Sequence, residues 1–221
     1  EREARAMASL DHPNLCRIVE VDLDAPAPFL VMAWAEGEPL DRFARRQTVK
    51  ARVTLLLRII DAVGAMHEQG LAHGDLKPAN ILVTRDAEPT IVDFGLARAV
   101  PGRSARCLTQ CGAAAYISPE MARGPEGPGH GWETDWWGLG VVAHELLTGA
   151  VPFRDANVHG VYAALLGCGA GVKTRSTPAF ADVDPSAADF VADALRSDPR
   201  RRLGCARRGR RRDAKRHPWF R

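Results

Sequence analysis

The stretch His73–Gly95, HGDLKPANILVTRDAEPTIVDFG, determines how the rest of the chain is interpreted. Two short apolar runs, at residues 81–83 and 91–92, flank a turn rich in Asp, Glu and Pro, which predicts a loop followed by a hairpin. A hairpin brings the ends of its strands together, and polar residues stand at both ends here. We therefore expect four side chains to converge on one cleft: Asp75, Lys77, Asn80 and Asp93.

These four side chains share a chemistry. Carboxylate and amide oxygens are the ligands that a hard divalent cation prefers, and the ammonium group adds a positive charge. Such a set suits phosphoryl transfer, which depends mainly on positioning and charge neutralisation. A lone HxD or DFG can be an ordinary turn. Here the pattern HxDxKxxN is followed by DFG, and it lies in a loop followed by a strand, which favours the catalytic interpretation.

The same residues resemble the signature of the protein kinases, with HGD in place of HRD and DFG at residues 93–95. The resemblance implies an α+β, protein-kinase-like fold. A partial small lobe, with the helix that the family calls αC and the last two strands, would occupy residues 1–35. A mostly helical large lobe would occupy residues 36–221, with an activation segment at 93–120 and a basic C-terminal segment at 200–221.

The resemblance also implies catalytic roles, with ATP and Mg²⁺ as cofactors. Asp75 would accept or orient the proton of a substrate hydroxyl, and Lys77 would steady the transferred phosphoryl group. Asn80 and Asp93 would hold Mg²⁺.

The segment FLVMAWAEG, residues 29–37, resembles the strand that enters the kinase hinge. Met32 would then be the gatekeeper, and the backbone of Ala33 and Ala35 would bind adenine. Leu82 completes the expected cofactor-binding set.

Other residues receive structural or regulatory roles from the resemblance. Glu3 would be the αC glutamate, and Asp135 would anchor the backbone of the catalytic loop. Glu120 would form a buried pair with Arg202. Thr109 stands where the family is often phosphorylated. An apolar spine that links the lobes would contain His73, Phe94, Met7 and Ile18.

Several elements can be predicted outside the central stretch. Strands are expected at Leu15–Val21 and Phe29–Ala33. Apolar residues at helical spacing predict a helix over Arg52–His67 that stops at Gln69-Gly70. A second apolar helix should end at Gly149. The sequence Asp184-Pro185-Ser186 should cap a third helix that runs to Asp198-Pro199.

The N-terminal residues resemble the end of αC, since the helix-forming segment 1–10 is followed by His12-Pro13-Asn14. No glycine-rich GxGxxG loop and no strand lysine precede Glu3. The chain therefore resembles a fragment of a kinase domain that begins in αC, or the result of a truncated gene model, and we expect this piece alone to transfer little phosphate. Three later segments extend the resemblance over the whole chain and are similar to the AGC branch of serine/threonine kinases: DWWGLG, RLG and HPWF.

Three functions remain open at this stage: a serine/threonine protein kinase, a pseudokinase that binds without turnover, and a small-molecule kinase. The lysine in DLKPAN favours the first, and a small-molecule kinase would lack the SPE segment and DWWGLG. Gly74 and Ala113 depart from the family pattern, but neither change removes a metal ligand or the base. Ala113 stands where the family has a threonine whose hydroxyl lies near the catalytic Asp and Lys. Loss of that hydroxyl raises the reaction barrier by ~1–2 kcal/mol, which weakens catalysis without abolishing it, so an active parent enzyme is favoured.

Composition restricts the cellular setting. The sequence has no apolar run of ~18 residues and no signal peptide, which predicts a soluble, cytoplasmic protein with reduced cysteines. Residues 200–221 carry a net charge of +10 and the remainder −7. No aromatic residues interleave the arginines, so nucleic-acid binding is disfavoured. A protein substrate with Ser or Thr is the expected partner, and the oligomeric state is open.

Overall fold

The computed structural model describes residues 10–22, 25–26, 29–94, 97–99, 114–124, 129–155, 157–172, 174, 178–205, 214 and 217–220. Glu3, Met7, Thr109 and Ala113 therefore lie outside the described residues. Within the described part the helices are α1 (Leu40–Ala44), α2 (Val49–Glu68), α3 (Pro119–Ala122), α4 (Glu133–Thr148), α5 (Val158–Gly167) and α6 (Pro185–Ala194). The strands are β1 (Ile18–Asp22), β2 (Phe29–Met32), β3 (Glu38–Pro39), β4 (Leu71–Ala72), β5 (Ile81–Val83), β6 (Pro89–Ile91) and β7 (Arg98–Ala99).

The first two strands form a small antiparallel sheet, as the sequence predicts, with Glu20 opposite Val31. The first strand begins at Ile18 rather than at Leu15. Leu15 instead forms an isolated parallel bridge to Ile91. The segment before β1 is thus attached to the central hairpin and not to β2.

The predicted hairpin is present, with β5 and β6 paired so that Ile81 lies opposite Ile91. Strand β3 pairs with the other edge of β5. Two backbone bonds form the bridge between the segment before β1 and β6: Cys16 N donates to Ile91 O at 2.9 Å, and Ile91 N donates to Asn14 O at 2.9 Å. The small sheet is therefore fixed beside the strand that leads to Asp93.

Helices α2 and α4 contact each other and carry much of the core. Helix α2 begins three residues earlier than predicted, because Thr48 caps it by accepting a hydrogen bond from Ala51 N. Helix α4 ends as predicted at Gly149, whose φ of 76° is the left-handed conformation that glycine adopts without strain. The largest of the fully buried side chains is Trp137.

The prediction for the last helix is correct at its start and wrong at its end. Asp184 caps α6 by accepting from Ser186 N at 2.7 Å. The helix ends at Ala194, not at Asp198, because the next residues pair with the segment 170–172 instead. Val172 N donates to Leu195 O and Ser197 N donates to Ala170 O. Pro199 also disfavours a helical residue before it.

The C-terminal aromatic residues pack on α6. The Phe190 ring lies 5.2 Å from Trp219 and 5.1 Å from Phe220, measured between ring centroids. In the part of the chain that the structure describes, no helix is both long and apolar enough to cross a membrane.

Candidate active site

The loop after β4 brings three of the four predicted side chains into direct contact. Lys77 Nζ lies 2.5 Å from Asp75 Oδ2. Asn80 Nδ2 donates to the same carboxylate oxygen at 3.1 Å and to the backbone carbonyl of Asp75 at 2.9 Å. The 3₁₀ turn Pro78–Asn80 makes this possible because it folds the chain back within three residues.

The hairpin places the fourth residue, Asp93, at the same end. Val92 N donates to the backbone carbonyl of Asn80 at 2.9 Å, so Asp93 follows directly after the point where the two strands meet. Its carboxylate is exposed. Its φ of 63° is left-handed, which costs a non-glycine residue on the order of 1–2 kcal/mol. Backbone strain of this kind at Asp93 is typical of a functional position.

Asp135, on the first turn of α4, holds the loop after β4 by its backbone. Its two carboxylate oxygens accept from His73 N and Gly74 N, each at 2.8 Å. Burial by itself raises the pKa of Asp135. The hydrogen bond and charge of His67, with the backbone donors, outweigh burial and keep this pKa below its usual range, so the carboxylate stays ionised.

His67 is a member of this cluster that the sequence analysis missed. Its Nε2 donates to Asp135 Oδ2 at 2.8 Å, and its ring contacts Trp132 and Trp136 at centroid distances of 5.4 and 5.5 Å. The only sequence signal was a polar residue near the end of an apolar helix, six residues before His73. That position alone does not reveal a partner on α4.

His73 is fully buried, and both of its ring nitrogens bond to the backbone. Its Nε2 donates to Val92 O at 3.2 Å, and its Nδ1 accepts from Asp75 N at 3.3 Å. Burial lowers the pKa of His73, and the nearby carboxylates only partly offset this, so the ring is neutral. The ring lies 5.6 Å from Phe94, between centroids. Both side chains therefore belong to the core beneath the cleft.

Gly74 occupies a position that an arginine would find strained. Its φ is 80°, and its backbone N–H is held by Asp135. Glycine adopts this conformation without a steric cost. The departure from the family's HRD pattern therefore relieves strain in the loop while keeping the anchor to α4.

The predicted adenine-binding residues lie around segment 33–37, which we call the hinge segment. Met32 ends β2 and is 38% exposed. Ala33 is exposed, and its N–H donates to Arg17 O at 2.8 Å. The Ala33 carbonyl accepts from Cys16 Sγ at 3.2 Å. One backbone donor of the hinge segment is thus already used within the protein.

The other end of the hinge segment lies against β5. A Cβ on Gly37 would come within 2.6 Å of Val83 O, and the φ of Gly37 is 132°, so only glycine fits this approach. The next residues form β3, where Pro39 pairs with Leu82. The structure therefore places Leu82 beside the hinge segment. Ala35 is half-buried against the core.

The expected pair of Glu120 and Arg202 is present and buried. Arg202 Nη1 and Nη2 donate to the two carboxylate oxygens at 2.6 and 2.9 Å. Burial raises the pKa of Glu120, but the charge and hydrogen bonds of Arg202 outweigh it and hold this pKa below its usual value. The Arg202 guanidinium also lies 5.2 Å from the Trp137 ring. This arrangement links Glu120 in α3 to the first residue of α4 and to the segment that contains Arg202.

The donor set fits a magnesium ion and a nucleotide phosphate. Asn80 directs its amide nitrogen to Asp75, which leaves Oδ1, on the opposite side of the amide, as the atom suited to a hard cation. Asp93 adds an exposed carboxylate. In the described residues no group of three or more His, Cys, Asp or Glu could hold a metal. A magnesium site here therefore depends on few protein ligands, which is usual when phosphate oxygens supply the others.

Comparison with known proteins establishes the family. Residues 1–220 match the family model described as the protein kinase domain. The chain therefore belongs to the protein kinase domain family, and the expected α+β kinase-like fold is confirmed.

The curated relatives are protein kinases by their names. The chain is 31% identical to the cAMP-dependent protein kinase catalytic subunit PRKX of Mus musculus, over 100% of the chain and 59% of the relative. It is 32% identical to calcium/calmodulin-dependent protein kinase type 1 of Macrobrachium nipponense, over 100% of the chain and 61% of the relative. The chain thus spans about three-fifths of the length of these relatives. The predicted resemblance to serine/threonine kinases, including an AGC-type relative, is confirmed.

Proposed function

We propose that this chain is part of a serine/threonine protein kinase that transfers the γ-phosphoryl group of ATP to a hydroxyl group of a protein. The observation that carries the proposal is the contact of Lys77 and Asn80 with one oxygen of Asp75, at the end of the hairpin that presents Asp93. Family membership and the names of the relatives support it.

Each residue has a role that its geometry supports. Asp75 is a carboxylate held in place by two donors, so it can accept or orient the proton of an incoming hydroxyl group. Lys77, whose side chain is 24% exposed, supplies a positive charge next to that hydroxyl. Asp135 positions the loop backbone rather than touching the substrate. Catalysis in this scheme comes from positioning and charge neutralisation.

ATP would supply the phosphoryl group, and Mg²⁺ would neutralise its charge. Asn80 and Asp93 are the residues that would hold the metal. Met32, Ala35 and Leu82 would surround the base, and the Ala33 carbonyl would face its edge. In this proposal residues 1–35 belong to the small lobe and residues 36–221 to the large lobe.

We also infer an intracellular location and a protein substrate that presents Ser or Thr. The described cysteines are free thiols: Cys16, Cys168 and Cys205. Free thiols are usual in a reducing compartment.

The proposal is tested by transfer of labelled phosphate from ATP to casein, followed by phosphoamino-acid analysis, with the whole protein. Label on serine or threonine that is lost in Asp75→Asn supports a kinase. Asp86→Asn is the matched control, because Asp86 is an exposed carboxylate in the hairpin turn and should retain full activity. Mg²⁺-dependent ATP binding without any transfer would instead identify a pseudokinase.

A further inference from the structure

One residue, Cys16, contacts both the hinge segment and β6, the strand that leads to Asp93. Its backbone N–H donates to Ile91 O at 2.9 Å, two residues before Asp93. Its thiol donates to the Ala33 carbonyl at 3.2 Å. Cys16 is 7% exposed, so both contacts are shielded from water.

The Ala33 carbonyl is fixed in direction by these contacts. The N–H of Ala33 donates to Arg17 O at 2.8 Å, which holds the residue on its N-terminal side, whereas the carbonyl belongs to the next peptide unit and is held by the thiol. The thiol then occupies one lone pair of the Ala33 oxygen. A carbonyl oxygen has two lone pairs, so one acceptor position remains for a donor that enters from the cleft. Burial raises the pKa of the Cys16 thiol, which keeps the S–H proton available for donation at neutral pH.

We propose that Cys16 is a positioning residue for base recognition, which orients the Ala33 carbonyl towards an exocyclic amino group and fixes it relative to the strand that carries Asp93. This inference rests on the proposed nucleotide-binding function. The chemical group recognised is the 6-amino donor of adenine, since the position that remains on the oxygen is an acceptor. Cys16 acts through Ala33 and does not itself need to touch the nucleotide.

The test separates positioning from packing by using a nucleotide without the 6-amino group that the Ala33 carbonyl would bind. Isothermal titration calorimetry of the whole protein in Mg²⁺ compares ATP with purine riboside 5′-triphosphate, which has hydrogen in place of the 6-amino group. The variant Cys16→Val fills the volume of the thiol without a donor, and Cys16→Ser keeps a donor. Cys168→Ala is the matched control, because Cys168 is a half-buried thiol bonded to Ser197 at 3.1 Å, outside the hinge.

We expect wild type to bind ATP more tightly than the analogue. In Cys16→Val this preference should fall on the order of three- to five-fold, the size expected for loss of one weak hydrogen bond. Cys16→Ser should retain most of the preference, and Cys168→Ala should retain all of it. Melting curves show whether each variant is folded.

Equal weakening of both nucleotides in Cys16→Val, or an unchanged preference, overturns the inference and leaves the proposed function standing. Failure of folded wild type to bind either nucleotide contradicts the proposed function itself, and the inference falls with it. If Cys16→Val does not fold, Cys16→Ala takes its place with the same two outcomes, since it also lacks the donor.

Discussion

Replacement of Arg202 by methionine should destabilise the fold severely without touching the cleft. Arg202 is completely buried, and besides its two bonds to Glu120 it donates to Glu133 O at 2.7 Å and to Arg196 O at 3.0 Å. Methionine replaces much of the volume but none of these donors. Glu120, which is 1% exposed, would be left as an unpaired buried charge.

The expected cost follows from that uncompensated carboxylate. Removing one partner of a buried ion pair costs about 3–5 kcal/mol of unfolding free energy. For a domain of this size each kcal/mol lowers the melting temperature by roughly 2–4 °C, so the melting temperature should fall by about 10 °C. Urea unfolding at pH 7, followed by circular dichroism, measures the free energy directly.

Arg201→Met is the matched control. Arg201 is the adjacent arginine, its side chain is 65% exposed, and it pairs with the exposed Asp198 at 3.5 Å. Surface pairs of this kind contribute about 0–1 kcal/mol. A loss below about 1 kcal/mol in Arg202→Met, or one no larger than in Arg201→Met, would refute the assignment of this pair as a structural link.

Three further predictions concern Asp93, the buried carboxylates Glu120 and Asp135, and Thr109. Asp93→Gly should leave the free energy of unfolding within about 1 kcal/mol of wild type, because relief of the left-handed strain is offset by the entropy that glycine adds to the unfolded chain, while Mg²⁺-dependent nucleotide binding is lost; a larger stability loss in denaturant titration would contradict this. The folded-state pKa values of Glu120 and Asp135 lie below their ordinary values of 4.5 and 3.8, so both contribute stability at neutral pH that is lost as pH falls through and below those values. Urea titrations at pH 7 and pH 3.5 should show this loss, and Arg202→Met should reduce it. Phosphorylation of Thr109 should leave the activity of the Gly74 protein nearly unchanged and matter only in Gly74→Arg, since a guanidinium is the usual phosphate partner; strong activation of the natural protein would refute this.

The residues of the cleft could be predicted from sequence because the signature is local. Asp75, Lys77 and Asn80 lie within six residues, so a loop and one 3₁₀ turn suffice to bring them together. Asp93 follows from the hairpin, whose two short apolar strands are separated by turn residues. Local chain geometry therefore accounts for the four principal side chains.

The supporting contacts could not be predicted in the same way because they join distant parts of the chain. His67 and Asp135 are 68 residues apart and meet only because α2 packs against α4. The thiol of Cys16 meets the Ala33 carbonyl only because β1 pairs with β2. The early end of α6 depends on segment 170–172, which forms hydrogen bonds with the backbone groups that would have continued the helix. Tertiary pairing overrode the local capping signals in that case.

The central claim is that the cleft is one Mg²⁺–nucleotide site in which metal binding and proton transfer belong to different residues. The most direct measurement is the ATP dissociation constant with Mg²⁺ and with EDTA, for wild type, Asp75→Asn and Asp93→Asn. We predict that Mg²⁺ strengthens ATP binding on the order of ten-fold in wild type and in Asp75→Asn, and that Asp93→Asn loses this effect. Undiminished Mg²⁺ dependence in folded Asp93→Asn, or none in wild type, would contradict the account.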